Sequence, residues 1–418
     1  MKNSIFFTLI LTSFHVFGNS YNIKDYGAKA DGKTVNTAFI QKAIDECNAQ
    51  GGGTVVVPAG TFITGTIFLK SHVNLHVEHA GVLKGSDKLS DFQANGITHG
   101  MVYAIDCEDI SLTGEGEING NGTHFMIPDK RHNFIDYDTK YIRQGAAFMQ
   151  GETGVGGYTE TARQQSYKFG NKTKTTENVV VTNCVLQSRS AGIRIGYGMN
   201  NVRNLIFSNL TIVDTNRGIG IFCRDDSQIE NITFSNIHIQ CRLHTGKWWG
   251  RGEPIHISSI KQTGIEKLGR IKGIRFSNVK ITQAEAGIVV YGNAKSVIED
   301  LDFQDVEINL QNGALSKTYG GNFDMRPSAE RSTSLFKHDI PAFYAGFVKN
   351  MKVTNYTNTW KDASPADYYT NGFFVENYDG LILEKMQVMA ANASHKKMVL
   401  KNGKRLINRT NLTGFKSL

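Results

Sequence analysis

Proline, cysteine and tryptophan are all scarce in this 418-residue chain, with 6, 5 and 3 of each. Beyond residue 20 no run offers the ~18 uninterrupted apolar residues that a membrane-spanning helix requires, so no membrane insertion is expected of the rest of the chain. With no Pro-rich or Ser/Gly-rich linker, residues 21–418 read as one domain. Cys47, Cys107, Cys184, Cys223 and Cys241 are odd in number and show no CxxC spacing, which argues against both a disulfide framework and a zinc site. One bridge stays open to them in an oxidising compartment, but most are expected as small buried core residues. No metal motif is present and no cofactor is implied. Charged residues make up only 20% of the chain, without a basic run, a nucleic-acid motif or an amphipathic basic helix. Nucleic acid and the membrane surface are therefore poor partners.

What is abundant points elsewhere. Forty-three glycines, many asparagines and 40% hydrophobic residues suit a turn-dense, all-β chain. A net charge of +8 and a pI near 9.0 attract polyanions, and an acidic polysaccharide is the partner left once the others are set aside. Residues 1–20 read as a secretory signal peptide, with Lys2 ahead of an apolar stretch at 5–17 and small residues at the exit. The mature protein is expected outside the cytoplasm, secreted or periplasmic, as a monomer.

One pattern recurs: alternating β-branched or aromatic residues, then Ser/Thr-Asn, then another alternating run. Copies begin at Asn178 (NVVVTNCVL), Asn204 (NLIFSNLTI), Asn231 (NITFSNIHI), Gly273 (GIRFSNVKI) and Asp300 (DLDFQDVEI), spaced 26, 27, 42 and 27 residues apart, with weaker copies at Asn350 and Gly380. A period in the twenties with one insertion marks a solenoid. Between copies lies a second short strand, as in AGIRIG, RGIGIF, EPIHIS and AGIVVY. Period-two alternation and tight Asn/Gly corners predict a single-stranded, right-handed parallel β-helix. Stacking puts Ile193, Ile219, Ile255 and Ile288 in one inward column and Ile195, Ile221, Ile257 and Val290 in another; Arg194, Gly220, His256 and Val289 then face out. Asn183, Asn209, Asn236 and Asn278 form a corner ladder, each amide expected to bond the next turn's backbone. Apolar residues at helical spacing over Thr37–Ala49 predict a helix capping the first rung, and residues 318–367 read as an interruption by groove-side loops.

Residues 21–92, with DYGA, ADG, QKAID, GGGTVVVPAGTF and GVLKGS in that order, and GEGEINGNG at 114–122 resemble the start of glycoside hydrolase family 28, the polygalacturonase-like enzymes of the pectin lyase fold. SRSAGIRIG, NRGIGIF and WWGRGEPIHIS resemble a bacterial branch of that family. The resemblance implies a secreted glycosidase acting by inversion on a pectin-like, uronic-acid-containing polysaccharide. It also implies acidic NTD and GDD motifs on successive rungs, then GHG and RIK. Here Ser190-Ala191-Gly192 stands at the GHG-like place and Gly220-Ile221-Phe222 at the RIK-like place, and residues 123–176 contain neither NTD nor GDD. One or more rungs are expected to be deleted or replaced. A glycan-binding β-helix that has lost its chemistry is the alternative; a polysaccharide lyase ranks third, because the acidic clusters expected for calcium are missing.

Inverting hydrolysis needs a protonated carboxyl and a carboxylate ~6.5–9.5 Å apart, and rungs ~4.8 Å apart place such a pair on neighbouring or next-neighbouring coils. Asp225 and Asp226 directly follow one second-face strand and Glu253 opens the next. These three are the catalytic candidates; their plainer reading is as turn carboxylates paired with Arg224 or Arg251. Arg194, Arg217 and Arg224 match an anionic sugar bidentately, or pair with Asp214, Asp225 and Asp226. Gly192, Gly218 and Gly220 leave bare backbone for a sugar to approach. Trp248, in the long coil beside Arg251, stacks on a sugar face or forms a lid with Trp249. His256 faces out as a proton carrier or orienting donor, or as a surface histidine without a role.

Overall fold

The computed structural model describes residues 19–94, 97–105, 107–127, 142–143, 175–196, 201–244, 250–261, 267–325, 339–410 and 416–417. Of the signal peptide expected at 1–20, residues 1–18 lie outside the described residues, as do Trp248 and Trp249 and most of 123–176. Ser20–Asn22 already pairs in parallel with Thr54–Val56, so the first rung begins there. The helix Thr37–Ala49 forms as expected and buries Ile40, Ala43, Ile44 and Cys47 against that rung. Among the described residues no helix is long and apolar enough to cross a membrane.

The chain winds as a right-handed parallel β-helix. On its main face Asn201–Thr215, Gln228–Cys241, Arg270–Ala284, Ile298–Leu310, Phe343–Trp360 and Phe373–Gln387 stack in order, every pair parallel. Period-two alternation decides which residues turn inward, and the aromatic of each repeat forms an internal ladder: Phe207, Phe234, Phe276 and Phe303 stack at 5.0, 4.8 and 5.0 Å. Corner asparagines take positive φ, from 53° to 56° at Asn183, Asn209, Asn236 and Asn278, a region that Asn tolerates better than other non-glycine residues. Their amides bond one another across rungs, at 3.1, 2.9 and 2.8 Å. The ladder is thus side chain to side chain, not side chain to backbone as the sequence suggested.

Both inward columns lie as read. Ile193 pairs with Ile219 and Ile219 with Ile255, and Ile219, Ile221, Ile255, Ile257, Ile288 and Val290 have no exposed surface. The supposed interruption at 318–367 is smaller than expected. Phe343–Trp360 is a full strand of the stack, because its tyrosines and valines keep the two-residue period although the Asn corner signal is weaker. All five cysteines are free thiols, and Cys47, Cys223 and Cys241 are buried.

The main face leaves no room for extra rungs where the acidic ones were sought. Ile110–Gly114 pairs on one side with Asn74–Val77 and on the other directly with Val179–Val181. On the second face, Glu117–Asn119 pairs back to Val82–Lys84 and Ala191–Gly196 pairs forward to Arg217–Phe222, with no strand joining them among the described residues. A cavity of about 200 Å³ lies at that seam, lined by Val77, Leu112, Ile118, Leu186 and neighbours. It separates two hydrophobic cores, both touched by Val179.

Candidate functional site

Two adjacent second-face strands build the site. Arg217–Cys223 and Glu253–Ser259 run in register, so Arg217 lies opposite Glu253 and Gly220 opposite His256. With isoleucines 219, 221, 255 and 257 facing in, Phe222, His256 and Ser258 occupy the outer side. The Phe222 ring carries Arg217 at 4.9 Å and Arg224 at 5.1 Å, and His256 packs 5.1 Å from it. A Cβ at Gly220 would meet the Phe222 ring at 2.5 Å and Arg217 Cδ at 3.1 Å. Glycine is needed there to let the aromatic ring and the arginine lie flat on the strand, so the bare backbone expected at Gly220 is covered.

The register of the outer column is as read, but its exposure is not. Arg194 is exposed, whereas His256 and Val289 are completely buried. The surface histidine expected at 256 is therefore an interior one, with Phe222 packed on its ring and Asp324 and Met325 bonded to Glu253, Arg217 and Arg224 around it. Arg217 and Arg224, expected to meet sugar, are 1% and 0% exposed. Arg217 Nη2 donates to the Asp324 carbonyl at 2.8 Å, and Nε lies 3.6 Å from Glu253 Oε2. Arg224 donates to the Ser258 carbonyl at 3.0 Å, to Ser258 Oγ at 2.8 Å and to the Met325 carbonyl at 3.3 Å.

The carboxylates divide in the same way. Glu253 is buried, not a solvated turn residue: its oxygens accept from the Arg251 N–H and the Asp324 N–H, each at 2.6 Å. Asp225 is buried too, while Asp226 is partly exposed and lies 3.3 Å from Lys267. Arg251 is half-buried. Asp214 accepts from Arg242 at 2.5 Å and from Gln187 at 3.1 Å. Of the candidates, then, the fold gathers Arg217, Arg224, Glu253 and His256, with Arg251 at the edge. Asp324, Asn216 and Ser258 join them. Asp324 comes from more than seventy residues further on, out of a segment with no repeat, and nothing in its sequence announces it.

Burial would raise the Glu253 carboxyl, but the Arg217 guanidinium and His256 outweigh it and hold it below its ordinary value. It stays ionised and cannot serve as a proton donor near neutrality. His256 is pushed down to about 4, by burial first and by Arg217 second, so its imidazole is neutral. Its Nε2 shares a 2.8 Å hydrogen bond with Ser258 Oγ, and its Nδ1 lies 3.6 Å from Glu253 Oε1. Asn216 Oδ1, Arg217 Nε and His256 Nδ1 are buried without a hydrogen-bond partner among the described residues. Such orphans are rare in native interiors, and two of these atoms, Arg217 Nε and His256 Nδ1, face the Glu253 carboxylate at 3.6 Å.

Glu285, which the sequence reading passed over, behaves oppositely. Burial raises it to about 7, offset only partly by the Leu243 N–H and by Arg242. A folded-state pKa above the ordinary 4.5 means stability that is full at acid pH and lost as pH rises through about 7. Glu285→Gln is therefore expected to be as stable as the wild type near pH 4 and more stable at pH 8, by about 3 kcal/mol. Urea midpoints at the two pH values check this; equal differences at both would show that Glu285 does not titrate there.

Comparison with known proteins agrees with this architecture. Residues 20–289 match the family described as rhamnogalacturonase A/epimerase, pectate lyase-like. An exo-poly-alpha-D-galacturonosidase of Dickeya chrysanthemi is 37% identical over 118 residues, 24% of this chain and 19% of that protein. The mannuronan C5-epimerase AlgE1 of Azotobacter vinelandii is also 37% identical over 118 residues, 26% of this chain and 8% of that protein. The matched parts thus span less than a fifth of these relatives. Among solved structures, the surface adhesin PfbA of Streptococcus pneumoniae shares the fold, with a TM-score of 0.55 at 15% identity over 96% of this chain and 93% of that one. With the family match covering well over half of the chain, this β-helix belongs to the rhamnogalacturonase A/epimerase, pectate lyase-like family.

Proposed function

We propose that this protein is a secreted glycosidase that acts on an acidic, uronic-acid-containing polysaccharide, with Glu253 as its functional carboxylate and arginines as its anion contacts. One observation carries the reading. Two arginines, an ionised glutamate and a neutral histidine are buried together on the outer side of adjacent rungs, with donor and acceptor atoms left over. Buried charge is costly and hydrophobic replacements of such clusters are often neutral or stabilising, so a cluster with spare bonding capacity is better explained by a ligand than by stability. An ionised carboxylate suits water activation or stabilisation of a positive transition state, and guanidinium groups suit a sugar carboxylate. Arg194, exposed one rung earlier on the same column, extends the anion contacts outward.

The test measures reducing-end release from polygalacturonate and from mixed uronic or sulfated glycans, with absorbance at ~235 nm followed in parallel to detect the unsaturated product of a lyase. Wild-type protein should release reducing ends without that absorbance, and Glu253→Gln should lose ~10²- to 10⁴-fold in rate, the contribution typical of a positioned acid or base. Turnover undiminished in Glu253→Gln, Asp225→Asn and Asp226→Asn would overturn the assignment. Arg194→Ala should weaken a charged oligosaccharide and flatten its salt dependence while leaving a neutral one unchanged. Arg224→Ala is not a clean probe of binding, because Arg224 holds Ser258 and Met325.

A second reading, a β-helix that binds the glycan without cleaving it, is favoured by the direct pairing of Ile110–Leu112 with Val179–Val181, which leaves no main-face rung for the missing acidic motifs. Salt-sensitive binding with no product on any of these glycans would select it.

A further inference from the structure

We infer that Asp324 occupies, from within the chain, a subsite for the carboxylate of an acidic sugar, so that residues 322–325 compete with the ligand for the site. The inference rests on the reading that the ligand is an acidic glycan and adds where its charge is held and what holds the place beforehand.

The Asp324 carboxylate accepts from the Gly250 N–H at 2.8 Å and lies 3.9 Å from Arg217 Nη2. A backbone N–H beside a guanidinium is the arrangement by which proteins take up a carboxylate. The donor is fixed in direction: Gly250 has φ +107°, a Cβ there would meet the Asn216 carbonyl at 2.7 Å, and the Gly250 carbonyl accepts from Asn216 Nδ2 at 3.0 Å. A rigid N–H aimed at an acid is a costly way to anchor a loop that is already anchored by its main chain.

That main-chain anchoring is independent of the acid. The Asp324 N–H donates to Glu253, the Asp324 carbonyl accepts from Arg217, and the Met325 carbonyl accepts from Arg224. Each of these three charged side chains is thereby occupied by backbone of the same short segment. Beside them, Asn216 Oδ1, Arg217 Nε and His256 Nδ1 remain buried without a hydrogen-bond partner among the described residues. The segment therefore takes the charged contacts but does not use all that the site offers. A hydroxylated acid has the groups to do both, with its carboxylate in place of that of Asp324 and its hydroxyls on the leftover atoms. Since the segment must leave first, the apparent affinity falls with the fraction of molecules in which the subsite is vacant.

Two variants test this. Asp324→Asn keeps the shape and the backbone bonds but loses the charge, and Asp324→Ala empties the position. Calorimetry at fixed ionic strength should give trigalacturonate binding about tenfold tighter for Asp324→Asn than for wild type, the charge no longer holding the segment in place. In thermal unfolding, free galacturonate should raise the midpoint of Asp324→Ala more than galactose does, and the difference between the two sugars should be smaller in the wild type. The inference is overturned if galacturonate and galactose shift Asp324→Ala equally, or if wild type and Asp324→Asn bind trigalacturonate with the same measurable affinity. A galacturonate-specific shift in Asp324→Ala without glycan cleavage by any variant would uphold the subsite and remove only the glycosidase reading.

Discussion

Ile219→Asp is expected to yield no soluble, cooperatively folded protein. Ile219 has no exposed surface and sits in an inward column between Ile193 and Ile255, with apolar side chains above and below it. An aspartate there has no cation within the column, and desolvating an unpaired carboxylate costs several kcal/mol even after the protein relaxes. Rungs of a solenoid are stabilised by their neighbours, so a defect in one rung weakens two interfaces at once. Ile206→Asp is the control: Ile206 lies on a main-face strand but is 45% exposed, and its variant should fold. Solubility, far-ultraviolet circular dichroism and a cooperative urea transition read the difference. A folded Ile219→Asp protein would refute the register on which the whole site depends.

The second large effect is expected at Arg217. Arg217→Met keeps much of the side-chain volume and the packing on Phe222 but leaves Glu253 buried without its cation and the Asp324 carbonyl without its donor. Breaking one side of a buried pair costs about 3–5 kcal/mol. Adding Glu253→Gln to Arg217→Met removes the stranded charge and should restore a sizeable part of that loss. The double-mutant cycle in urea gives the coupling directly. Additive losses would mean that Arg217 and Glu253 do not stabilise each other, and the account of why Glu253 stays ionised would fail with them.

The fold was legible because a solenoid writes its geometry into one dimension. The Asn corners, the FSN-type repeats and the alternating isoleucines each report a contact between a residue and its own copy one turn away. A period in the sequence is therefore a distance in space. The same logic placed Arg194, Gly220, His256 and Val289 on one column. It fell short at Phe343–Trp360, whose first half reads as interruption although the copy at Asn350 marks its second half, where Asn350 and Asn355 take the same corner conformation and bond Asp300 and Asp305 of the rung before.

The sequence by itself determined the coils, their inward columns, the capping helix and the residue types on the outer side of the site, since all of these follow from local periodicity. It could not determine what lies over that side. Whether His256 meets solvent or an interior, and whether Glu253 is a solvated acid or an ionised partner of Arg217, depends on Asp324 and Met325 arriving from a segment without a repeat. Burial and pairing are properties of the assembled surface. They set the protonation of Glu253 and His256 through desolvation and through charges brought close only by folding, and no spacing along the chain encodes them.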